Sequence, residues 1–392
     1  ATLTGAFGAL GVTLATGTAA ATIVAWLYRS EDGGSRTNVT STILGPDGAH
    51  VSGAETSLTA TGTEVRSPSA LALANGRFVV VWEQVRAETF SSEIRAMLLE
   101  ADGSAVWTPM SSGFGDFPVN AAPSIAEQTN PHGTGLADGG FAIAWTDWTA
   151  WNPFLAARTF SADGTARDAE DLVISRPTSG TPFYPQLAPT YDGFVAVWHF
   201  KEWSASRIIL ERIATTSDRT MSAEITVAPT TTSPTPPSIG VRTDGAIAVA
   251  WHDCDPMGDG DSCGIHGRLF HPSGMPAGDA FIVNTTRRDW QTGPSLIPAA
   301  AERFVVAWTD ASNSMTERGF DIRARAIYPS LVRHDGVVGA ACAKASAAPC
   351  ATGLACAQAV SGDQLCHPAC QAPAGTPCEQ GGICNGGVCL FY

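Results

Sequence analysis

Charged residues, and basic ones above all, are scarce in this sequence. Only 15 % of the 392 residues are charged, and 23 Lys and Arg stand against 37 Asp and Glu, for a formal net charge of −14. A surface of this sign repels phosphate backbones and anionic lipid, which argues against a nucleic-acid partner. Enzyme signatures are also missing: the chain has no GxSxG, HExxH or Walker A motif, no dinucleotide-binding GxGxxG and no sialidase Asp-box.

Cysteine is nearly absent from the first 341 residues, which hold only Cys254 and Cys263. The other eight are clustered: Cys342, Cys350, Cys356, Cys366, Cys370, Cys378, Cys384 and Cys389. No CxxC pair recurs at zinc-finger spacing, so we expect disulfides and an oxidising compartment. A tail with so few large apolar residues depends on such bridges, and the sequence does not choose among their pairings.

No segment predicts a membrane span. Residues 1–28 carry no charge, but they are rich in Gly and Thr, and the stretch from Ala21 to Trp26 belongs to a repeat. The chain begins at Ala1 without Met, which we interpret as the result of a removed secretion signal.

The sequence does contain six copies of an apolar, β-branched and aromatic run that ends in Trp. The six residues are Trp26, Trp82, Trp145, Trp198, Trp251 and Trp308. They are spaced by 53 to 63 residues, a period typical of propellers and solenoids. One Trp at a fixed place in each unit predicts core packing.

Each unit also contains the signals of three further strands. A short strand with Pro or Ser at its start precedes the Trp strand, and pairs such as Asn75-Gly76, Asp138-Gly139 and Asp192-Gly193 predict two-residue hairpin turns between the two. Four antiparallel strands repeated six times predict an all-β, six-bladed β-propeller over residues 1–336. A linear solenoid is the alternative, but its end repeats need polar caps, and the first and last units here resemble the others.

We expect the segment Ala1–Thr4 to complete the sixth blade, and residues 337–392 to form a small disulfide-rich module.

The fifth unit carries a family resemblance. Its run Thr243-Asp244-Gly245-Ala246-Ile247-Ala248-Val249-Ala250-Trp251, followed by Gly264-Ile265-His266-Gly267-Arg268-Leu269-Phe270 and Phe281-Ile282-Val283-Asn284, resembles the tandem DGGFVVAW-type repeats of large secreted bacterial surface proteins. The resemblance covers about residues 1–335 and implies secretion and a propeller-like fold, with no catalytic residues to transfer. The Cys-rich tail is similar to the short modules that end secreted proteins of myxobacteria.

Candidate binding residues lie in the variable loops that follow the Trp strands and in the loops that lead into each unit. They are Trp148, Trp151, Trp203 and Trp290. An exposed Trp offers a flat apolar surface with one donor, suited to a sugar ring or a protein partner. The alternative is that these Trp pack between blades.

The segment from Asp253 to Cys263 is the most distinctive loop. We expect Cys254 and Cys263 to bridge each other and to close it. Four carboxylates, from Asp253, Asp255, Asp259 and Asp261, are candidate Ca²⁺ ligands, although their spacing is not that of an EF-hand. A solvated acidic loop is the alternative.

Three further residue sets are considered for a structural or functional role. His199 and His252 each follow a repeat Trp, and we expect them to lie on different blades, too far apart to share one ion. Arg158, Arg212, Arg268 and Arg325 recur in the third strand, where a structural pairing with a neighbouring carboxylate is expected. Glu83, Asp147, Asp253 and Asp310 are the carboxylates that a hydrolase of this fold would use.

The sequence therefore favours a secreted, non-catalytic binding protein of the adhesin or lectin type at the bacterial surface, with a glycan or an extracellular protein as partner and Ca²⁺ as the one candidate cofactor. A secreted polysaccharide hydrolase or lyase is the second hypothesis, and a structural subunit of an extracellular assembly is the third.

Overall fold

The computed structural model describes residues 10–17, 21–29, 37–51, 55–60, 63–86, 89, 91–121, 126–148, 152–203, 205–215, 220–230, 235–254, 262–299, 303–312, 320–327, 354–358, 364–368, 383–385 and 388–390. Every regular element in these ranges is a β-strand. No helix long and apolar enough to cross a bilayer occurs among them. The predicted all-β class is confirmed.

Six antiparallel sheets follow one another along the chain, and in each the strands are hydrogen-bonded in chain order. The first three sheets comprise β1 (Leu10–Thr16), β2 (Thr22–Arg29), β3 (Thr37–Leu44) and β4 (Thr56–Ser57); β5 (Glu64–Ala72), β6 (Phe78–Val85), β7 (Ser92–Leu99), β8 (Ala105–Val106) and β9 (Phe117–Pro118), which also pairs with β7; and β10 (Gln128–Gly135), β11 (Phe141–Asp147), β12 (Phe154–Phe160) and β13 (Leu172–Ser175).

The last three sheets comprise β14 (Thr181–Pro189), β15 (Gly193–Lys201), β16 (Ser206–Ala214) and β17 (Ile225–Thr230); β18 (Ser238–Val241), β19 (Ile247–Asp253), β20 (Gly264–Phe270) and β21 (Phe281–Ile282); and β22 (Gln291–Ala299), β23 (Arg303–Asp310) and β24 (Asp321–Ile327). These are the blades of a six-bladed β-propeller, as predicted. The proposed ring-closing strand Ala1–Thr4 lies outside the described residues.

The chain divides into two compact units. Unit one comprises Ala1–Ser204 and Arg212–Ser222, and unit two comprises Ala205–Glu211 and Ala223–Tyr392. In unit one, β6 contributes side chains to two hydrophobic clusters and β11 to one of them. In unit two, β23 contributes Phe304, Val306 and Trp308 to a third. All six repeat Trp are buried, which confirms their predicted core role.

The turn between β5 and β6 is longer than predicted. Leu73 N donates to Arg77 O at 2.8 Å and Gly76 N donates to Leu73 O at 3.0 Å, so the turn spans five residues and its Gly76 has φ 86°. That positive φ explains the glycine. Gly193 has a different reason to be glycine: an added Cβ would lie 2.2 Å from Ile213 O, so β15 approaches the backbone of β16 too closely for a side chain.

The Cys-rich tail contributes two hairpins, β25 (Leu354–Gln358) with β26 (Gln364–Pro368) and β27 (Ile383–Asn385) with β28 (Val388–Leu390). Cys356 and Cys366 are partners in the backbone register of the first, and Cys384 and Cys389 in that of the second. Cys342, Cys350, Cys370 and Cys378 lie outside the described residues, and the predicted tail disulfides stay a prediction.

Candidate functional site

The first strand of a blade carries an irregularity that turns its backbone. In unit one the register shifts at Arg66/Ser69 in β5, at Thr129/His132 in β10 and at Phe183/Gln186 in β14. Inside each shift one residue has positive φ, namely Ser67 (49°), Asn130 (56°) and Tyr184 (53°), and each precedes a proline. This left-handed conformation is disfavoured before proline and carries strain. Proline therefore marks a bulge inside the strand, not the start of the strand as predicted.

First strands of neighbouring blades are joined by one recurring hydrogen bond. In unit one, Ala70 N donates to Thr13 Oγ1 and Leu187 N donates to His132 Nδ1, each at 3.0 Å. In unit two, Leu296 N donates to Ser238 Oγ at 2.8 Å. Each donor lies two residues after a bulge proline, so the strained bulges are fixed in place by these cross-blade bonds.

An aromatic cluster sits beside the bulges of β10 and β14. The Trp148 indole N–H donates to Thr129 Oγ1 at 2.9 Å, and its ring meets Phe183 edge-on with centroids 5.8 Å apart. The ring centroids of Phe183 and Tyr184 are 6.1 Å apart. Trp148 is half-buried, so it packs between two blades and still presents part of its ring. We call Trp148, Phe183 and Tyr184 the aromatic cluster.

Trp203 lies two residues beyond β15, the strand that pairs with β14. Its side chain is fully exposed, at 101 % of the reference value. Trp290, in unit two, is 62 % exposed. Trp151 lies outside the described residues. Phe183 and Tyr184 were missed from the sequence, although the Tyr-Pro pair shares the pattern of Ser67-Pro68 and Asn130-Pro131.

A buried carboxyl lies at the β5 bulge in the same unit. Glu83 is 3 % exposed, and its Oε1 lies 3.6 Å from Arg66 Nη1. Burial raises the pKa of Glu83 to about 7, against the opposing effects of Arg66 and of the Asn130 backbone N–H. The Arg66 guanidinium also pairs with Glu64, with Nη2 2.7 Å from Oε1. A carboxyl with a pKa near neutrality is able to exchange a proton at physiological pH.

The other predicted carboxylates have structural partners. Asp147 accepts a hydrogen bond from Gln128 Nε2 at 2.9 Å, and Asp310, fully buried, lies 2.9 Å from Arg323 Nε. Asp253 is also buried, at the end of β19. Each ends the second strand of its blade, so these groups stabilise the strand ends.

The acidic loop is closed as predicted, because Cys254 and Cys263 form a disulfide. Asp255, Asp259 and Asp261 lie outside the described residues. Within the described ranges no three or more His, Cys, Asp or Glu side chains are grouped as metal ligands. Calcium binding by this loop stays a prediction.

The two histidines differ in burial. His199 is buried in unit one, opposite Phe183 in the register. His252, in unit two, is half-buried, and burial lowers its pKa while Asp253 opposes that effect.

The third-strand arginines correct a prediction. Arg158, Arg268 and Arg325 donate to the backbone carbonyls of Val119, Val227 and Val283 at 2.9, 2.6 and 2.8 Å. These carbonyls belong to the outer part of the preceding blade, so the guanidinium acts as a link between blades. Carboxylate pairing holds for Arg212, which lies 3.2 Å from Asp192, and Arg158 has only a 4.0 Å contact with Asp171.

Comparison with known proteins bears on the fold. No family model matches the chain, and no curated protein matches it. Among solved structures it is similar to a protein of unknown function from Dyadobacter fermentans, with 9 % identity, a TM-score of 0.50 and coverage of 80 % of this chain and 93 % of that one. It also matches an α-L-arabinofuranosidase from Fusarium graminearum (10 % identity, TM-score 0.48, coverage 83 % and 94 %) and a Trypanosoma rangeli sialidase (8 %, 0.49, coverage 80 % and 54 %). At 9 % identity, the likeness to the Dyadobacter fermentans protein concerns the fold alone.

Proposed function

We propose that this protein is a secreted carbohydrate-binding protein of the adhesin or lectin type, acting at the bacterial exterior. Its binding surface in unit one comprises Trp203 and the aromatic cluster. The observation that carries the proposal is the full exposure of Trp203, which lies two residues beyond β15, the strand that pairs with the β14 strand of Phe183 and Tyr184.

The magnitude of that exposure supports a ligand. Covering an aromatic side chain removes about 150–250 Å² from water, and at about 25 cal/mol per Å² an uncovered indole forgoes roughly 4–6 kcal/mol. A sugar ring stacked on Trp203 recovers part of this energy. The strained, pinned bulges hold Phe183 and Tyr184 in fixed positions, which lowers the entropic cost of binding.

The test is isothermal titration calorimetry against a panel of neutral oligosaccharides. Trp203→Ala is expected to weaken the best-bound oligosaccharide at least about tenfold, which equals ~1.4 kcal/mol. Trp107→Ala is the matched control, because Trp107 is 64 % exposed and directly follows β8 in the second blade, whereas Trp203 follows β15 in the fourth. Equal affinity of both variants and the unmodified protein would refute the proposal.

Hydrolysis of a glycosidic bond is the second candidate, favoured by Glu83. A protonated carboxyl near pH 7 is what a general acid requires, and an ionised carboxylate has to accompany it. Glu127 is exposed, and its charge contributes to the raised pKa of Glu83. Release of reducing ends from polysaccharide, lost in Glu83→Gln, would establish this activity, and undiminished release in that variant would exclude Glu83 as the acid.

A further inference from the structure

The segment 285–290 in unit two leads into β22, and two buried side-chain amides hydrogen-bond to its backbone. Gln291, fully buried, donates from Nε2 to Arg288 O at 2.8 Å and to Asp289 O at 3.3 Å. Asn284, also buried, donates from Nδ2 to Thr286 O at 2.8 Å and to Gln291 Oε1 at 3.0 Å. Asp289 has φ 58°. The two amides therefore fix the backbone path of this segment.

The same segment is tied to its neighbours at its far end. Ala311 N donates to Trp290 O at 2.8 Å, and Gln291 N donates to Cys263 O at 2.9 Å. The disulfide at Cys263 fixes that strand in turn. The backbone of Trp290 is thus immobilised while its ring points out.

Three side chains project from this support into solvent. Arg287 and Trp290 are exposed, the latter at 62 %, and Arg288 is exposed at 76 %. We call residues 285–290 the Arg–Trp loop. Consecutive exposed arginines are unexpected on a chain with 23 basic and 37 acidic residues. Arg288 Nε lies 3.5 Å from Asp289 Oδ2, a solvent-exposed contact that contributes little.

Arg323 adds a guanidinium at the base of the loop, where its Nη1 donates to Thr286 Oγ1 at 2.9 Å. Its charge is balanced by the buried Asp310 at 2.9 Å. It therefore supports the loop, whose own formal charge is +1 because its two arginines, Arg287 and Arg288, outnumber its one carboxylate, Asp289.

We propose that the Arg–Trp loop binds an acidic polysaccharide that carries carboxylates on its sugar rings. A guanidinium fork matches the planar carboxylate, and the indole of Trp290 takes the apolar face of an adjacent ring. The net charge of −14 opposes polyanions in proportion to their charge density. A uronate chain carries at most one carboxylate on each sugar ring, so it is opposed less than a duplex with its two phosphates per base pair. The inference extends the proposed carbohydrate function to a second, separate site and names its ligand class.

The experiment measures binding of oligogalacturonate, with the carboxyl-reduced oligosaccharide as the neutral counterpart. Arg287→Gln/Arg288→Gln is expected to weaken oligogalacturonate binding about tenfold, which equals ~1.4 kcal/mol. Arg287→Lys/Arg288→Lys should retain part of the affinity. Arg77→Gln/Arg167→Gln is the charge-matched control, because these arginines pair with Glu100 and Asp138 at turns of unit one. Circular dichroism checks that each variant is folded.

The outcomes separate this inference from the proposed function. Loss of oligogalacturonate binding in the Gln pair and in Trp290→Ala, with the control unaffected, supports the Arg–Trp loop even if Trp203→Ala changes nothing. Unchanged oligogalacturonate affinity in the Gln pair overturns the loop assignment, whatever Trp203→Ala does. Equal affinity for the carboxyl-reduced oligosaccharide, or for duplex DNA, overturns the uronate chemistry.

Discussion

The bond between Leu187 N and His132 Nδ1 makes acid stability depend on one histidine. His132 accepts this hydrogen bond with its unprotonated Nδ1 at 3.0 Å, and burial lowers its pKa to about 4. A protonated imidazole has no lone pair to accept with. We therefore predict that His132→Asn, whose side-chain oxygen also accepts a hydrogen bond, removes part of the acid sensitivity of unit one.

The sign follows from proton linkage. The folded-state pKa of about 4 lies below the ordinary value of about 6.5, so between these values the unfolded chain binds more protons. The stability contributed by neutral His132 is complete above about pH 6.5 and is lost as the pH falls towards 4. At pH 4.5 the loss is at most ~2.5 kcal/mol. Because the side chain is only half-buried by surface area, we expect about 2 kcal/mol after solvent screening.

The assay is urea denaturation of the full chain at pH 7.5 and pH 4.5, followed through the transition of unit one. His132→Asn should match the unmodified protein at pH 7.5 within about 1 kcal/mol and exceed it at pH 4.5 by about 2 kcal/mol. Glu83 and Glu211, whose pKa values burial raises to about 7, are common to both proteins and cancel in the comparison.

Ser238→Ala is the matched control, because Ser238 makes the same cross-blade bond with Leu296 N and does not titrate in this range. It should lower stability by about 1 kcal/mol at both pH values. Identical pH profiles for His132→Asn and the unmodified protein would refute the linkage argument.

Three further predictions follow from burial and cross-linking. Glu83→Gln should gain stability relative to the unmodified protein as the pH rises from about 4.5 to about 8, by roughly 2–3 kcal/mol, because a folded-state pKa raised to about 7 makes ionisation costly; a pH-independent difference in urea midpoints would contradict this. Arg268→Met should cost about 2–3 kcal/mol by leaving Val227 O and Gly278 O without the guanidinium, while Arg268→Lys should cost less, and equal melting temperatures for both would remove the linking role. Cys254→Ser/Cys263→Ser opens a loop with sequence separation 9 and should lower the free energy of unfolding by about 2.5 kcal/mol. If calcium raises the melting temperature only of the disulfide-intact protein, the predicted calcium site in the acidic loop is supported. If calcium leaves that melting temperature unchanged, the calcium prediction is wrong.

The number of blades and the composition of the core follow from local sequence patterns. A β-branched run that ends in Trp buries both faces of a strand, so six such runs at one spacing require six similar sheets, and Trp82 or Trp198 needs no distant information to be placed in the core. Cys254 and Cys263 were predictable in the same way, because closing a short loop depends on local spacing. The turn glycines were predicted as sites of positive φ, which Gly76 and Gly139 confirm. For Gly193 the prediction is wrong, because its φ is not positive and the glycine is required by the close approach of β16.

Tertiary structure alone decided what each exposed or charged side chain does. Trp148 and Trp203 look alike in sequence, but only the packing of β10 against β14 half-buries the first and leaves the second in solvent. The partner of Arg268 is a carbonyl 41 residues away, a contact that depends on how two blades meet. Likewise, the raised pKa of Glu83 arises because folding removes its carboxyl from water. A local pattern specifies strands because their period is local, whereas burial and pairing of polar groups depend on residues distant along the chain.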